Sequence, residues 1–414
     1  MGRGMIWRLL RDKSGNMLML AGASLPVLMG AAGLATDTVQ WTLWKRQLQR
    51  EADSAALAGA YAVAQNYSAS DSATADIGRL SLITLSQTPV IENAPTTGSY
   101  AGNNKAVRVV LQATQALPFS KLLGITAPVL TAEATAAVVQ GGTYCAWASE
   151  STTTAGIVMQ GNATVDLGCG MITNSRAANA VTAGGSSSIL ATPVAAVGGL
   201  QTSSNYASGT TLQPYSLPQS DPYAALPTPS PTGCGGKFSV NSNNSATVSP
   251  GCYKGFDIKG TLTMAPGIYY VDGSSFSVGA QAVLSGTGVT IILTSSNAAT
   301  TPSQIATLDM NGGATVNLSA TTSGTYAGIL FYQDRRALDS GINKVNGNAS
   351  SSFQGAFYTL SQELQFSGTS GMTTDCIQIA SRRITFIGNS SITNNCPPGS
   401  GAGGFTGTRV RLVG

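Results

Sequence analysis

The stretch GAQAVLSGTGVTIIL (279–293) joins a turn of small residues, Gly279-Ala280-Gln281-Ala282-Val283, to an apolar β-branched run, Val289-Thr290-Ile291-Ile292-Leu293. The same idiom recurs as Gly161-Asn162-Ala163-Thr164-Val165, Gly313-Ala314-Thr315-Val316, Gly347-Asn348-Ala349-Ser350, Gly368-Thr369-Ser370-Gly371 and Gly388-Asn389-Ser390-Ser391-Ile392. The last three begin at 347, 368 and 388, a period near 20 residues. Short strands and turns at that period are the arithmetic of a parallel β-helix, whose coils bury their apolar faces against the coils above and below. Gly328-Ile329-Leu330-Phe331-Tyr332 reads as a strand buried in such a stack. Residues 142–414 are therefore expected to be mainly β, a right-handed parallel β-helix-like domain. Because the repeat is irregular before Gly260, a β-sandwich of Gly-rich hairpins is the alternative. The Pro-rich stretch Leu212–Thr232, with Pro214, Pro218, Pro222, Pro227, Pro229 and Pro231, reads as an extended excursion across the surface of the same domain.

Upstream of Gly141-Gly142 the composition changes. Residues 66–141 combine a polar stretch at Ser68–Ala75, an alternating strand Ala106–Gln112, a short apolar helix Phe119–Ile125 and a second strand Leu130–Val139, a small α/β module closed by the two glycines. Residues 17–35 form an apolar run that, as a helix rising 1.5 Å per residue, reaches roughly the 30 Å of a hydrocarbon core. Met17, Leu20, Leu25, Pro26, Leu28 and Leu34 belong to this anchor, and Pro26 is tolerable in a membrane helix. Before it, residues 1–16 carry Arg3, Arg8, Arg11 and Lys13 against Asp12. The positive-inside rule leaves that end in the cytoplasm and sends the remainder across. A cleaved signal peptide is the competing reading; its apolar stretch would be shorter, and the helical pattern here runs past Asp37. Residues 36–65 continue the helix, with Trp41 and Trp44 suited to the far interface. A small-residue stripe, Ala52, Ala55, Ala56, Ala58, Gly59 and Ala62, allows close approach either of the chain's own body or of a partner helix.

Cys145, Cys169, Cys234, Cys252, Cys376 and Cys396 all follow the apolar run, where an oxidising compartment favours disulfides. Their spacing suggests sequential pairs: 145 with 169, 234 with 252, 376 with 396. With no histidine and no C-x-x-C, no metal site and no cofactor is expected. A net charge of +4 with scattered basic residues gives no nucleic-acid footprint. The absence of histidine also excludes the Ser-His-Asp and Cys-His nucleophiles, and there is no phosphate loop. Many parallel β-helices cleave acidic polysaccharides, but Asp309, Asp334, Asp339 and Asp375 offer no paired carboxylates for glycoside hydrolysis. Arg335-Arg336 and Arg382-Arg383 either bind an anionic glycan or are solvated turn charges that pair with those carboxylates.

The residues Arg11-Asp12-Lys13-Ser14-Gly15-Asn16, the run with Leu25-Pro26-Val27 and Gly30-Ala31-Ala32-Gly33-Leu34-Ala35, and Glu51-Ala52-Asp53-Ser54-Ala55-Ala56-Leu57-Ala58-Gly59-Ala60 occur in order. Together they resemble the N-terminal module of TadE/TadG-like Flp pilus-assembly proteins. The resemblance implies a single-pass anchor in the bacterial inner membrane with a periplasmic or extracellular body. It also implies a non-enzymatic role in assembling Tad/Flp-type adhesive pili, with the lipid bilayer and small pseudopilins as partners. Where processed pilin-like relatives carry Glu five residues after the cleavage-site Gly, this chain has Leu20, which favours the anchored TadG-like role over a cleaved subunit. It also lacks the Asp-x-Ser-x-Ser motif of members with a von Willebrand-type domain. A surface or periplasmic glycan-binding adhesin with the same anchor is the alternative, and a polysaccharide-cleaving enzyme a further one.

Overall fold

The computed structural model describes residues 14–80, 83–346, 348, 350–368, 373–388, 391–393 and 403–414. The basic residues Arg3, Arg8, Arg11 and Lys13, and Cys396, lie outside the described residues, as do the side chains of Met17 and Asp375. The chain forms two units, Met1–Val139 with Val410–Gly414, and Gln140–Arg409.

In the first unit, helix α1 runs unbroken over Ser14–Ala64 with Pro26 inside it, a length of about 75 Å. Its part from Met19 onward contains a stretch long and apolar enough to cross a membrane. Hydroxyls there and just beyond bond back to the helix: Ser24 Oγ donates to the Ala21 carbonyl, Thr36 Oγ1 to Ala32 and Thr38 Oγ1 to Leu34. No water is needed to satisfy them.

The second half of α1 packs on an antiparallel sheet of β1 (Val90–Asn93), β2 (Ala106–Thr114) and β3 (Val129–Ala148). Strand alternation puts Val107, Val109, Leu111 and Ala113 of β2, and Leu130, Ala132, Ala134 and Ala136 of β3, into one core with Leu48, Ala52, Ala55, Ala56 and Ala60 of α1. The small-residue stripe thus serves the chain's own sheet. At Gly59 an added Cβ would lie 2.8 Å from Val107 Cγ1. Arg108 ties the three strands together through Glu92 (3.1 Å) and Glu133 (2.5 Å).

Three details differ from the sequence reading. The polar stretch at Ser68–Ala75 forms helix α2, Ala69–Leu80, with Ser68 Oγ accepting the Asp71 N–H as an N-cap. Helix α3 is Pro118–Leu122. Gly141-Gly142 do not close a module, because β3 continues through them to Ala148. They mark close backbone approach: a Cβ on Gly141 would meet the Thr408 carbonyl carbon at 3.0 Å, and Gly142 has φ 147° with Pro193 Cδ at 3.2 Å.

In the second unit each short strand pairs in parallel with its counterpart one coil later. Phe238–Val240, Phe256–Ile258, Phe276–Val278 and Leu308–Met310 make one face. Ser245–Val248, Thr261–Met264, Val283–Thr287 and Thr315–Ser319 make a second. Gly251–Tyr253, Gly267–Asp272, Val289–Thr294 and Ile329–Gln333 make the third. Register stacks like on like, as in Phe238/Phe256/Phe276 and Leu262/Leu284/Val316, and these side chains fill one continuous core. The pairing is compatible with a β-helix and unlike the antiparallel hairpins of a sandwich.

The order of coils is not the order of the chain. The stack climbs from 238 to the strands Ser352–Gly368 and Thr373–Gly388, whose residues Ile379, Ala380 and Ser381 pair in parallel with Ala146, Trp147 and Ala148. Ile384–Phe386 pair with Ile157–Met159, and Ser391–Thr393 with Thr164–Asp166. From there the stack continues through 170–173, 181–183 and 194–196 to Leu212–Gln213. The chain therefore enters mid-stack, winds to one end, crosses to the other end and winds back to its starting coil.

Substituting Gly59→Leu should cost about 2 kcal/mol or more through overpacking against Val107, read as a lowered melting temperature of the full chain in detergent. Gly22→Leu, with nothing within 4 Å of the new Cβ, should leave it unchanged.

Candidate functional site

Along the first half of α1, Met19, Leu20, Leu25, Val27, Leu28, Met29 and Leu34 are all exposed. Such a run of large apolar side chains on a helix surface marks an interaction face. At its end Trp41 is open, with Lys45 Nζ 5.7 Å from its ring centroid. Trp44 is half-buried and packs against the core of the first unit, so it does not stand free with Trp41. Asp37 is buried and accepts hydrogen bonds from the Phe119 N–H (3.1 Å), the Ser120 N–H (2.7 Å) and Ser120 Oγ (2.7 Å). Its carboxylate caps α3 from another helix, a link across more than 80 residues that no local pattern announces.

In the second unit Asp334 and Asp339, two of the carboxylates singled out for chemistry, are held by arginines. Asp334 is buried, accepts from Thr294 Oγ1 (2.8 Å) and pairs with Arg336 (2.6 Å). Asp339 pairs with Arg383 (2.6 Å) and Arg382 (3.1 Å). Asp309 is exposed and lies across from Lys344 in register. Arg335 and Arg336 lie in a turn, and Arg336, Arg382 and Arg383 pair with Asp334 or Asp339, as expected. Arg382 and Arg383, however, lie within a strand and also converge on buried Glu150, at 3.2 and 2.9 Å. Burial alone would raise the Glu150 pKa, but hydrogen bonds from Thr152 and the two guanidiniums hold it down at about 2.

The Pro-rich segment is a strap over the outer side of the third face. Gln219 exchanges hydrogen bonds with the Thr408 backbone, Tyr223 Oη donates to Gln378 (2.5 Å), and Asp221 accepts from Tyr358 Oη (2.7 Å). Arg335 donates to the carbonyls of Leu226 (3.0 Å) and Tyr223, Tyr332 Oη to that of Pro227 (3.3 Å), and Arg336 to that of Pro229 (2.9 Å). Beneath it Tyr332 and Tyr358 stack with centroids 5.1 Å apart, and Trp147 is buried.

Cys145–Cys169 and Cys234–Cys252 are disulfides, closing loops of 24 and 18 residues, each worth about 3 kcal/mol by loop entropy. Cys376 is buried, and its expected partner Cys396 lies outside the described residues. Cys234, Cys252 and Asp272 cluster within 4.8 Å. The sulfurs are consumed by their bond, and Asp272 pairs with Lys254 at 2.5 Å, so the trio offers no free thiolate to a metal.

Residues 15–64 match a family model described as putative Flp pilus-assembly TadE/G-like. The TadE/G-like match therefore coincides with α1, taking in both its exposed apolar half and its sheet-packing half. No curated protein and no solved structure matches the chain. The Tad family match supports a role related to pilus assembly, carried by this helix.

Because the Glu150 pKa is depressed from 4.5 to about 2, its contribution to stability is complete above pH 4.5 and is lost as pH falls toward 2. Glu150→Gln should cost on the order of 2 kcal/mol at neutral pH, by removing the buried charge on which two guanidiniums converge and leaving them to Asp339. It should also flatten the acid limb of a denaturation-versus-pH series; an unchanged acid limb would refute the assignment.

Proposed function

We propose that the chain is a membrane-anchored, non-enzymatic structural component of a Tad/Flp-type adhesive pilus system. In this reading α1 crosses the bacterial inner membrane once with its N-terminus cytoplasmic, and the disulfide-bonded body, a right-handed parallel β-helix, is periplasmic or extracellular. The observation that carries it is the coincidence of the TadE/G-like match with a helix that exposes apolar side chains from Met19 to Leu34. Its lateral partners are the lipid bilayer and small pseudopilins of the same system, met along that apolar half, since the Ala-rich half is occupied by the chain's own sheet.

The glycan-binding and polysaccharide-cleaving alternatives have less support. The stacked rings of Tyr332 and Tyr358 lie under the strap, and Asp334 and Asp339 are paired with arginines.

The full chain is expected in the inner-membrane fraction after alkaline carbonate washing, and a chain lacking residues 17–35 in the soluble fraction. A clean deletion should abolish pili seen by electron microscopy, with recovery on supplying the full chain but not residues 36–414. Normal pili in the deletion strain would sink the reading.

A further inference from the structure

We propose that Pro118–Val129 is a second lipid contact, a short wedge that enters the boundary between headgroups and acyl chains beside α1. The proposal rests on the reading of α1 as a membrane span. Its starting point is the pin at Asp37. Three hydrogen bonds fix the start of α3 to that carboxylate. The Phe119 ring lies directly on Gly33, where an added Cβ would fall 2.2 Å from ring atoms. Gly33 lies inside the apolar run that ends at Ala35, so the ring sits about 3 Å short of that end along the helix axis. The height of α3 against the candidate span is thereby set by contacts within one unit.

From that pin the chain turns at Gly124 (φ 73°) and shows Leu122, Leu123, Ile125 and Val129 to the outside, 78%, 62%, 55% and 61% exposed. No buried core of the unit includes them. Leu34 of α1, next to the Gly33 that the Phe119 ring covers, is itself 55% exposed. Between Thr114 and Ala132 the sequence has no carboxylate and a single cation, Lys121, whose long stem can lie along apolar surface while its ammonium reaches a phosphate. This charge pattern favours an anionic headgroup region over a partner protein with its mixed polar rim. It also accounts for a carboxylate so close to an apolar span: Asp37 meets donors of its own chain rather than lipid.

The test uses the full chain in vesicles of phosphatidylethanolamine and phosphatidylglycerol, with native disulfides kept oxidised. The fluorophore NBD is attached to Leu123→Cys, Leu28→Cys or Asn104→Cys. Asn104 is exposed at the opposite end of β2, roughly 30 Å along the strand from α3. A shallow doxyl lipid is expected to remove most emission at position 123, a deep one most emission at 28, and neither that at 104. Adding Asp37→Ala should relieve quenching at 123 while leaving that at 28. Quenching at 28 without quenching at 123 overturns the wedge and leaves the span intact. A blue-shifted but unquenched probe at 123 also overturns it, in favour of a protein cover such as a second copy. An unquenched probe at 28 removes the span, and the wedge with it.

Discussion

Everything in the larger unit depends on one seam, where Ile379–Ser381 from the end of the chain pair in parallel with Ala146–Ala148 from near its start. Parallel strands offer rows of unpaired N–H and C=O groups to whatever lies above them, and a stack built by two arms leaves such a row on each arm until they meet. The seam closes both. Ser149 and Glu150 N–H groups donate to the carbonyls of Ser381 and Arg382, and the Glu150 side chain then takes both arginines of the opposite arm. Sliding either arm by one residue would separate the buried carboxylate from these guanidiniums, a cost that favours the observed register. The strap follows from the same constraint. Once one arm has climbed to Leu212–Gln213, the chain must return along the whole stack to begin the other at Phe238, and proline-rich backbone spans that distance at little entropic cost.

The strap also explains the most apolar strands. Ile329–Gln333 is buried at every position, although an ordinary solenoid strand alternates. Its inner side chains, such as Phe331, enter the core, while Tyr332 and its neighbour Tyr358 point outward beneath the returning segment. A continuous apolar run was therefore readable as a doubly buried strand, but nothing local said that the second cover would be the chain's own proline-rich segment. Repeats, turn glycines and the apolar first helix could be read because each is a pattern within 20 residues or so. The seam and strap could not, because Glu150 finds Arg382 across 232 residues and Tyr223 finds Gln378 across 155. The helix at Ala69–Leu80 is a different case. Ser68 followed by Asp71 is a start signal present in the sequence, outweighed there by the polarity of the stretch.

The first helix meets two environments with two palettes. Over its sheet-packing half it presents Ala52, Ala55, Ala56 and Gly59, residues small enough for β2 to approach closely. Over its apolar half it presents Leu20, Leu25, Val27 and Leu28 outward, with hydroxyls folded back on the backbone. Asp37 stands between them, a charge kept at the junction by donors from α3. A family match that spans both halves is thus a match to a junction as much as to an apolar run.

The permuted stack has a consequence for solubility. Because the arms meet in the middle, the stack has two ends beyond which the described residues add no further coil, and each is an edge on which another chain could add. Each is blunted differently. At one end the last strand on the third face is two residues long, Leu212–Gln213, followed at once by Pro214, which has no N–H to offer. At the other, the Cys234–Cys252 bond and the Gly235–Tyr253 bridge draw the incoming strap over the outermost strand, while Lys237 and Lys259 put two cations around Asp257 beside it. Short length, proline, a covalent tie and charge are the devices by which sheet edges avoid pairing with their own kind. Here they let a body built almost wholly of parallel strands end where its own coils end.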